Sequence, residues 1–238
     1  MPKRSYSLSF GADSDLDYDS SKKTKKIDKD VQEMKRDMMS VADMDIFGND
    51  SITIKDNHIY FYGNVSNKNC MKLNIAIRDL SKKLNHYRID YGFNDLKINL
   101  HIKSYGGCVF SALSTIDTIK SCDVPIKSII EGCAASAATM ISVVCHERVM
   151  RPNSYMLIHQ LSSGFWGKME EIKDEFHNLK KLSKKIRKIY REHTNLRNSY
   201  DEETDMKRLK DVLKKDIWWE VDDCLKYGLV DSIIEHMH

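Results

Sequence analysis

The chain has 238 residues, of which 41% are hydrophobic, and its 38 basic and 35 acidic residues leave a formal net charge of +3. This length and hydrophobic content allow one large domain with its own core, while the mixed, nearly balanced charges give no broad basic face for nucleic acid. No run of about 18 apolar residues is present and the polar N-terminus lacks a signal-peptide core, so neither a membrane span nor a signal peptide is expected.

The first fifty residues differ in composition from the rest. They contain the acidic stretch "GADSDLDYDS" and the basic stretch "SKKTKKIDK", with few apolar residues. Such a segment cannot bury enough apolar surface to offset its conformational entropy. We therefore expect residues 1–50 to be a disordered or poorly ordered extension, and residues 51–238 to form the folded domain. The lysine cluster at 22–26 is interpreted as a solvated charge run rather than a localisation signal.

Beyond residue 50, strand patterns alternate with helix patterns. The predicted elements are strand 58–65, helix 67–84, strand 96–104, helix 109–121, strand 124–132, helix 134–144, strand 154–160 and helix 168–193. In the first helix Met71, Ile75 and Leu80 recur at roughly helical spacing. This alternation predicts an α/β domain with a mainly parallel sheet.

The last predicted helix is the longest and carries a continuous apolar stripe. Its members are Met169, Ile172, Phe176, Leu179, Leu182, Ile186 and Ile189. A stripe with steps of three or four residues indicates packing against a core or a partner. The opposite face is rich in lysine, which we interpret as solvated.

The six cysteines indicate reduced thiols in an intracellular protein, because they have neither a C-x-x-C spacing nor a compact framework. The histidines also lack partners at metal-ligand spacing, so no metal site is expected. We therefore expect a cytoplasmic location.

Ser136 stands where a predicted strand meets a predicted helix, in "EGCAASAATM". A serine on such a turn exposes its hydroxyl, and the N–H of Ala137 lies at the helix start, where an oxyanion could be stabilised. Small residues at a helix start more often mean tight packing, so the pattern alone is weak. Gly106 and Gly107, which also follow a strand, permit positive φ and close backbone approach. His159 ends another strand and could act as the base, although buried histidines are more often core residues.

Four motifs in order carry a family resemblance: "INLHIKSYGGCV", "DVPIKSIIEGCAASAATM", "SYMLIHQ" and "CLKYGLVDSI". Over about residues 57–235 the chain resembles the proteolytic subunit of the Clp protease family, ClpP. The resemblance implies the ClpP/crotonase-like α/β fold, with repeated ββα units and a protruding handle helix at about 168–193. It also implies a Ser-His-Asp triad of Ser136, His159 and Asp216. The oxyanion hole would be the N–H groups of Gly107 and Ala137.

The same resemblance implies a serine endopeptidase that cleaves unfolded polypeptides inside two stacked heptameric rings. A hexameric AAA+ unfoldase ATPase would feed the substrates, and the subunit would need no cofactor. Neither nucleic acid nor a membrane would be a partner.

The chain departs from the family pattern at several positions. Tyr105 and Leu161 stand where prolines are usual in the family, and the chain between His193 and Asp216 is several residues longer. The segment before residue 50 does not match the short axial loops of the family. Trp218 and Trp219 are expected to help bury the loop that carries Asp216.

Other functions remain open from sequence alone. They are a weakly active or inactive ClpP-like subunit of a mixed ring, an acyl-CoA enzyme of the crotonase type, a peptidase with a lysine base, and a protein whose basic helix binds nucleic acid. The crotonase type relies on carboxylates near its oxyanion hole, whereas this chain offers a serine followed by a histidine 23 residues later.

Overall fold

An eight-stranded, mostly parallel sheet organises residues 51–92, 95–196 and 201–234, which are the parts of the chain that this computed structural model describes. The expectations for residues 1–50 lie outside the described residues. The strands are β1 Ile52–Lys55, β2 His58–Tyr62, β3 Ile98–Ser104, β4 Ile126–Ala135, β5 Glu147–Met150, β6 Tyr155–Leu157, β7 Trp218–Trp219 and β8 Ser232–Ile233. The helices are α1 Asn67–Tyr91, α2 Val109–Lys120, α3 Ala137–Val143, α4 Met169–His193, α5 Glu202–Leu213 and α6 Val221–Lys226.

The sheet has the order β1-β2-β3-β4-β5-β8, with β6 beside the end of β4 and β7 beside β6. The β1–β2 and β6–β7 pairs are antiparallel and the others are parallel. The first part of β4 pairs with β5, and its last three residues pair with β6. The carboxyl ends of β3, β4 and β6 therefore lie side by side, where ligands bind in many parallel sheets. The predicted α/β class with a mainly parallel sheet is confirmed.

Helix α1 packs on the sheet through a face that differs from the predicted one. Leu80 is buried as expected, but Met71 is 59% exposed and Ile75 is 49% exposed. The buried side chains step by three or four residues along another face, at Cys70, Leu73, Ile77, Leu80 and Leu84. Because Met71 and Ile75 each lie one or two positions away from this seam, they point outward despite their apolar character.

The apolar stripe of α4 is divided between exposed and buried halves. Met169, Ile172 and Phe176 are 68%, 42% and 59% exposed, whereas Ile186 and Ile189 are buried in the core. The second half of α4 thus anchors the helix to the domain, while in the first half Met169, Ile172 and Phe176 are not covered by the described part of the chain. Helix α4 is the long helix that the sequence predicts over about residues 168–193.

The segment between α4 and β7 also contains a helix that the sequence reading did not predict. Helix α5 buries Leu209 and Leu213 together with the carboxylate of Asp205, which is only 1% exposed. Arg191 Nε of α4 donates to Asp205 Oδ2 at 3.1 Å, which neutralises the buried charge. Within the described ranges, no helix combines the length and the apolar character that a membrane span requires.

Candidate active site

Ser136 occupies an unusual backbone conformation between β4 and α3. Its φ is 54° and its ψ is −124°, a region that residues with a Cβ rarely adopt and that occurs in the strained serine turns of hydrolases. The serine N–H donates to Leu157 O of β6 at 2.8 Å, which fixes the turn to the neighbouring strand. The hydroxyl makes no capping hydrogen bond to α3. The hydroxyl is therefore not used to cap the helix that follows it.

The two glycines of "SYGG" bring bare backbone against this turn. Gly106 has φ +93°, and a Cβ placed on it would lie 2.7 Å from Ser136 Cβ and 3.0 Å from Ala137 N. Gly107 has φ +142°, and its Cβ would lie 2.4 Å from Val65 O. The distances to Ser136 Cβ and to Val65 O are far below ordinary van der Waals contact, and the distance to Ala137 N is also tight. Gly106 and Gly107 thus both have the positive φ and the close backbone approach that glycine permits.

A small pocket joins four of the five predicted residues. Its volume is about 70 Å³, and Gly107, Ser136, Ala137 and His159 all line it. The remaining lining is mostly apolar, from Val109, Met140, Gln160, Leu161, Ser162, Ile186 and Tyr190. A larger groove of about 630 Å³ runs between α5 and the β7–α6 segment and contains none of the five. We place the candidate chemistry in the smaller pocket, because the large groove lacks a nucleophile paired with a base.

The fifth predicted residue, Asp216, contacts the histidine. His159 Nδ1 lies 3.3 Å from Asp216 Oδ1. This contact leaves Nε2 as the ring nitrogen available to the pocket. The Asp216 side chain is 46% exposed and Trp218 is only half-buried, so the expected dry setting for this loop is not found.

The short β6–β7 ladder explains why these two side chains meet. Met156 pairs with Trp219, and Leu157 pairs with Trp218. If the same register is continued two residues beyond these strands, His159 falls opposite Asp216, which agrees with the 3.3 Å contact between the two side chains. Strand β7, which lies two residues after Asp216, follows the long polar segment 194–215, so pairing of this strand with β6 sets the position of the carboxylate. Sequence reasoning did not predict that Trp218 and Trp219 form a strand, and this strand is the signal that would have placed Asp216.

Two further contacts hold this region in place. The ring of Tyr105 meets Trp218 edge-on at 6.2 Å between centroids, and Gln160 N donates to Leu213 O of α5 at 2.6 Å. The neighbouring Cys133 thiol and burial raise the pKa of Tyr105. Tyr105, which stands where the family usually has proline, thus braces the Gly106–Gly107 turn against the loop that carries Asp216.

Within the described ranges, no group of three or more histidine, cysteine, aspartate or glutamate side chains is placed so that it could hold a metal ion. All six cysteines are free thiols.

Comparison with protein families supplies an independent finding. The sequence model of the family described as Clp protease matches residues 80–237. The match begins within α1 and includes every element from β3 onward, and therefore all five residues of the candidate site. It covers about two thirds of the 238 residues. The chain belongs to the Clp protease family.

Proposed function

We propose that this protein is a serine endopeptidase in which Ser136 is the nucleophile, His159 the general base and Asp216 the orienting acid. One observation carries the proposal: Ser136 and His159 line the same pocket, while Nδ1 of that histidine lies 3.3 Å from Asp216 Oδ1. This arrangement supports the proposal, because a catalytic triad places its histidine between the nucleophile and the acid.

The proposed reaction is acyl transfer followed by hydrolysis. Ser136 Oγ attacks the carbonyl carbon of the peptide bond as its proton passes to His159 Nε2. The N–H groups of Gly107 and Ala137 stabilise the oxyanion of the tetrahedral intermediate. His159 then returns the proton to the leaving amine, which leaves an acyl-enzyme on Ser136. A water molecule, deprotonated by His159, releases the acid product and restores the serine.

The lining of the pocket favours this proposal over the related chemistries. Its described residues include a histidine but no lysine and no carboxylate. A lysine-based peptidase would require a lysine here, and a crotonase-type acyl-CoA enzyme relies on a carboxylate near its oxyanion hole. A weakly active or inactive subunit of a mixed ring is the second candidate, since the positions of three side chains do not by themselves establish a rate.

The proposed assembly is a barrel of two stacked heptameric rings, with a hexameric AAA+ unfoldase feeding unfolded polypeptides to the sites. The exposed half of the α4 stripe supports contact with a second copy of the chain. An apolar row on a helix that its own domain leaves uncovered is typical of an interface. We assign no cofactor, nucleic-acid partner or membrane partner, and we place the protein in the cytoplasm.

Replacing the nucleophile tests the function directly. Ser136→Ala should lower hydrolysis of a fluorogenic peptide on the order of 10³-fold or more, because the alanine methyl fits the same turn and only the hydroxyl is lost. Labelling by a serine-reactive fluorophosphonate should disappear. Ser121→Ala, which removes a hydroxyl at the end of α2 outside the pocket, is the matched control and should behave as the wild type. Normal cleavage by Ser136→Ala would end the protease proposal.

A further inference from the structure

The carbonyl oxygen of Ser136 is held by a hydrogen-bond chain that uses none of the five predicted site residues as donors. It accepts from Thr139 N at 3.0 Å and from Thr139 Oγ1 at 2.6 Å. The same Oγ1 lies 2.6 Å from the hydroxyl of Tyr190. Thr139 is fully buried and Tyr190 is 1% exposed. Helix α4, which carries Tyr190, is thereby connected to the serine turn.

The direction of this chain follows from counting protons. A threonine hydroxyl has one proton to donate, although its oxygen can also accept. Because Ser136 O can only accept, Thr139 Oγ1 donates to it, and Tyr190 OH must donate to Thr139. Burial raises the pKa of Tyr190, so its phenol keeps the proton that this role requires. Successive hydrogen bonds of one direction strengthen one another in a buried setting.

The acceptor of this chain belongs to the peptide unit that carries the candidate oxyanion donor. The C=O of Ser136 and the N–H of Ala137 share one planar peptide unit, which is trans. In a trans unit these two groups point in opposite directions, so bonds that hold the oxygen also set the direction of the N–H. The strained φ of Ser136 makes such fixation necessary, since the turn would otherwise relax.

We propose that Thr139 and Tyr190 are positioning residues for the oxyanion hole, which act by orienting the Ala137 N–H toward the carbonyl under attack. This inference rests on the proposed peptidase function. It adds to that function a role for the base of the handle helix, since Tyr190 lines the pocket and ends the hydrogen-bond chain.

The test uses substitutions that remove one hydroxyl and little else. Tyr190→Phe and Thr139→Val should each lower kcat about 10- to 100-fold, less than the 10²- to 10³-fold loss expected when an oxyanion donor is deleted. KM should change less than about twofold, because the oxyanion forms only in the transition state. Thr139→Ser, which keeps the hydroxyl, should recover most of the rate.

Two more measurements separate positioning from a merely structural role. The rate constant for fluorophosphonate labelling should fall in parallel with kcat, since that reaction also develops an oxyanion. The double variant should be no slower than the slower single variant, because both substitutions break one chain. Matched controls are Tyr87→Phe in α1 and Thr115→Val in α2, a buried threonine whose hydroxyl bonds its own helix. Both lie outside the pocket and should retain the wild-type rate.

The outcomes distinguish this inference from the function on which it rests. A wild-type protein that neither cleaves peptides nor reacts with fluorophosphonate would overturn both. An active wild type with an equally active Tyr190→Phe variant would overturn the positioning role alone. So would a Thr139→Ser variant as slow as Thr139→Val, because the hydroxyl would then not be the group that matters.

Discussion

Replacing Gly106 by alanine tests whether the strand end beside Ser136 has to be bare backbone. The new methyl carbon would lie 2.6 Å from Ala135 O and 2.7 Å from Ser136 Cβ, whereas ordinary carbon contacts begin at about 3.5 Å. The clash is with the serine turn itself and not with a flexible side chain, so the turn or the glycine loop must move by about 1 Å. The φ of +93° adds strain for any residue with a Cβ.

These terms give the size of the expected effect. Backbone strain of about 1–3 kcal/mol and overpacking of about 1–3 kcal/mol should lower the free energy of unfolding by roughly 2–6 kcal/mol. Displacement of Ser136 by about 1 Å should lower kcat/KM on the order of 100-fold. Denaturant unfolding and hydrolysis of a fluorogenic peptide measure the two quantities.

Gly92 provides the matched control. It also has positive φ, at +71°, but a Cβ there meets no atom of the described residues within 4 Å. Gly92→Ala should therefore cost only the backbone strain of about 1–2 kcal/mol and leave kcat/KM unchanged. If Gly106→Ala retains the activity of Gly92→Ala, close approach of this loop to Ser136 is not needed for the chemistry.

Three further predictions concern the acid, the handle and the pH dependence of stability. Asp216→Asn should lower kcat strongly while leaving slow labelling of Ser136, because the orienting acid contributes less directly than the nucleophile. If Asp216→Asn cleaves normally and the same substitution at a neighbouring aspartate abolishes cleavage, that neighbour is the orienting acid. The neighbours to compare are Asp211→Asn, Asp222→Asn and Asp223→Asn. If the proposed double ring forms through the α4 stripe, Phe176→Asp should reduce it to single rings or monomers in gel filtration, since a charge in a buried seam costs several kcal/mol, whereas His177→Asp should not. An unchanged profile for Phe176→Asp would remove the stripe from the interface. Burial lowers the pKa of His101 below its ordinary 6.5. Burial alone would raise the pKa of Glu131, but hydrogen bonds from Tyr62 and His101 hold that pKa below its ordinary 4.5. In both cases the unfolded chain binds more protons, so the free energy of unfolding should fall as the pH drops below about 6.5 and again below about 4.5; a melting temperature that stays flat from pH 7 to pH 4 would contradict this.

The long elements of the fold could be predicted because their periodicity is visible along the chain. Period alone does not say which of two apolar faces is buried, however, and this explains the error at Met71 and Ile75 in α1. Strands β7 and β8 have two residues each, too few for any period to be visible. Helix α5 escaped prediction because its anchoring includes a buried carboxylate whose partner, Arg191, lies in another helix.

The candidate site shows the same division between local and distant information. Gly106, Gly107 and Ser136 sit in local strand-end patterns, and the sequence motifs drew attention to them. The contact between Thr139 and Tyr190 joins residues 51 positions apart, and no local pattern marks either of them. Such a pair becomes visible only once the fold has brought α3 and α4 together.

The register that brings His159 opposite Asp216 has a consequence for how this family member can change over evolutionary time. Successive side chains of a strand alternate between its faces. Substituting Ile217 would keep the parity of the ladder, but deleting it would shift Asp216 by one position and turn its carboxylate to the other face. The pair should therefore tolerate exchange of residues between Leu157 and His159, or between Asp216 and Trp218, far better than insertion or deletion of one. Length variation is expected to accumulate between α4 and Asp216, in segment 194–215, where an added residue leaves this parity untouched.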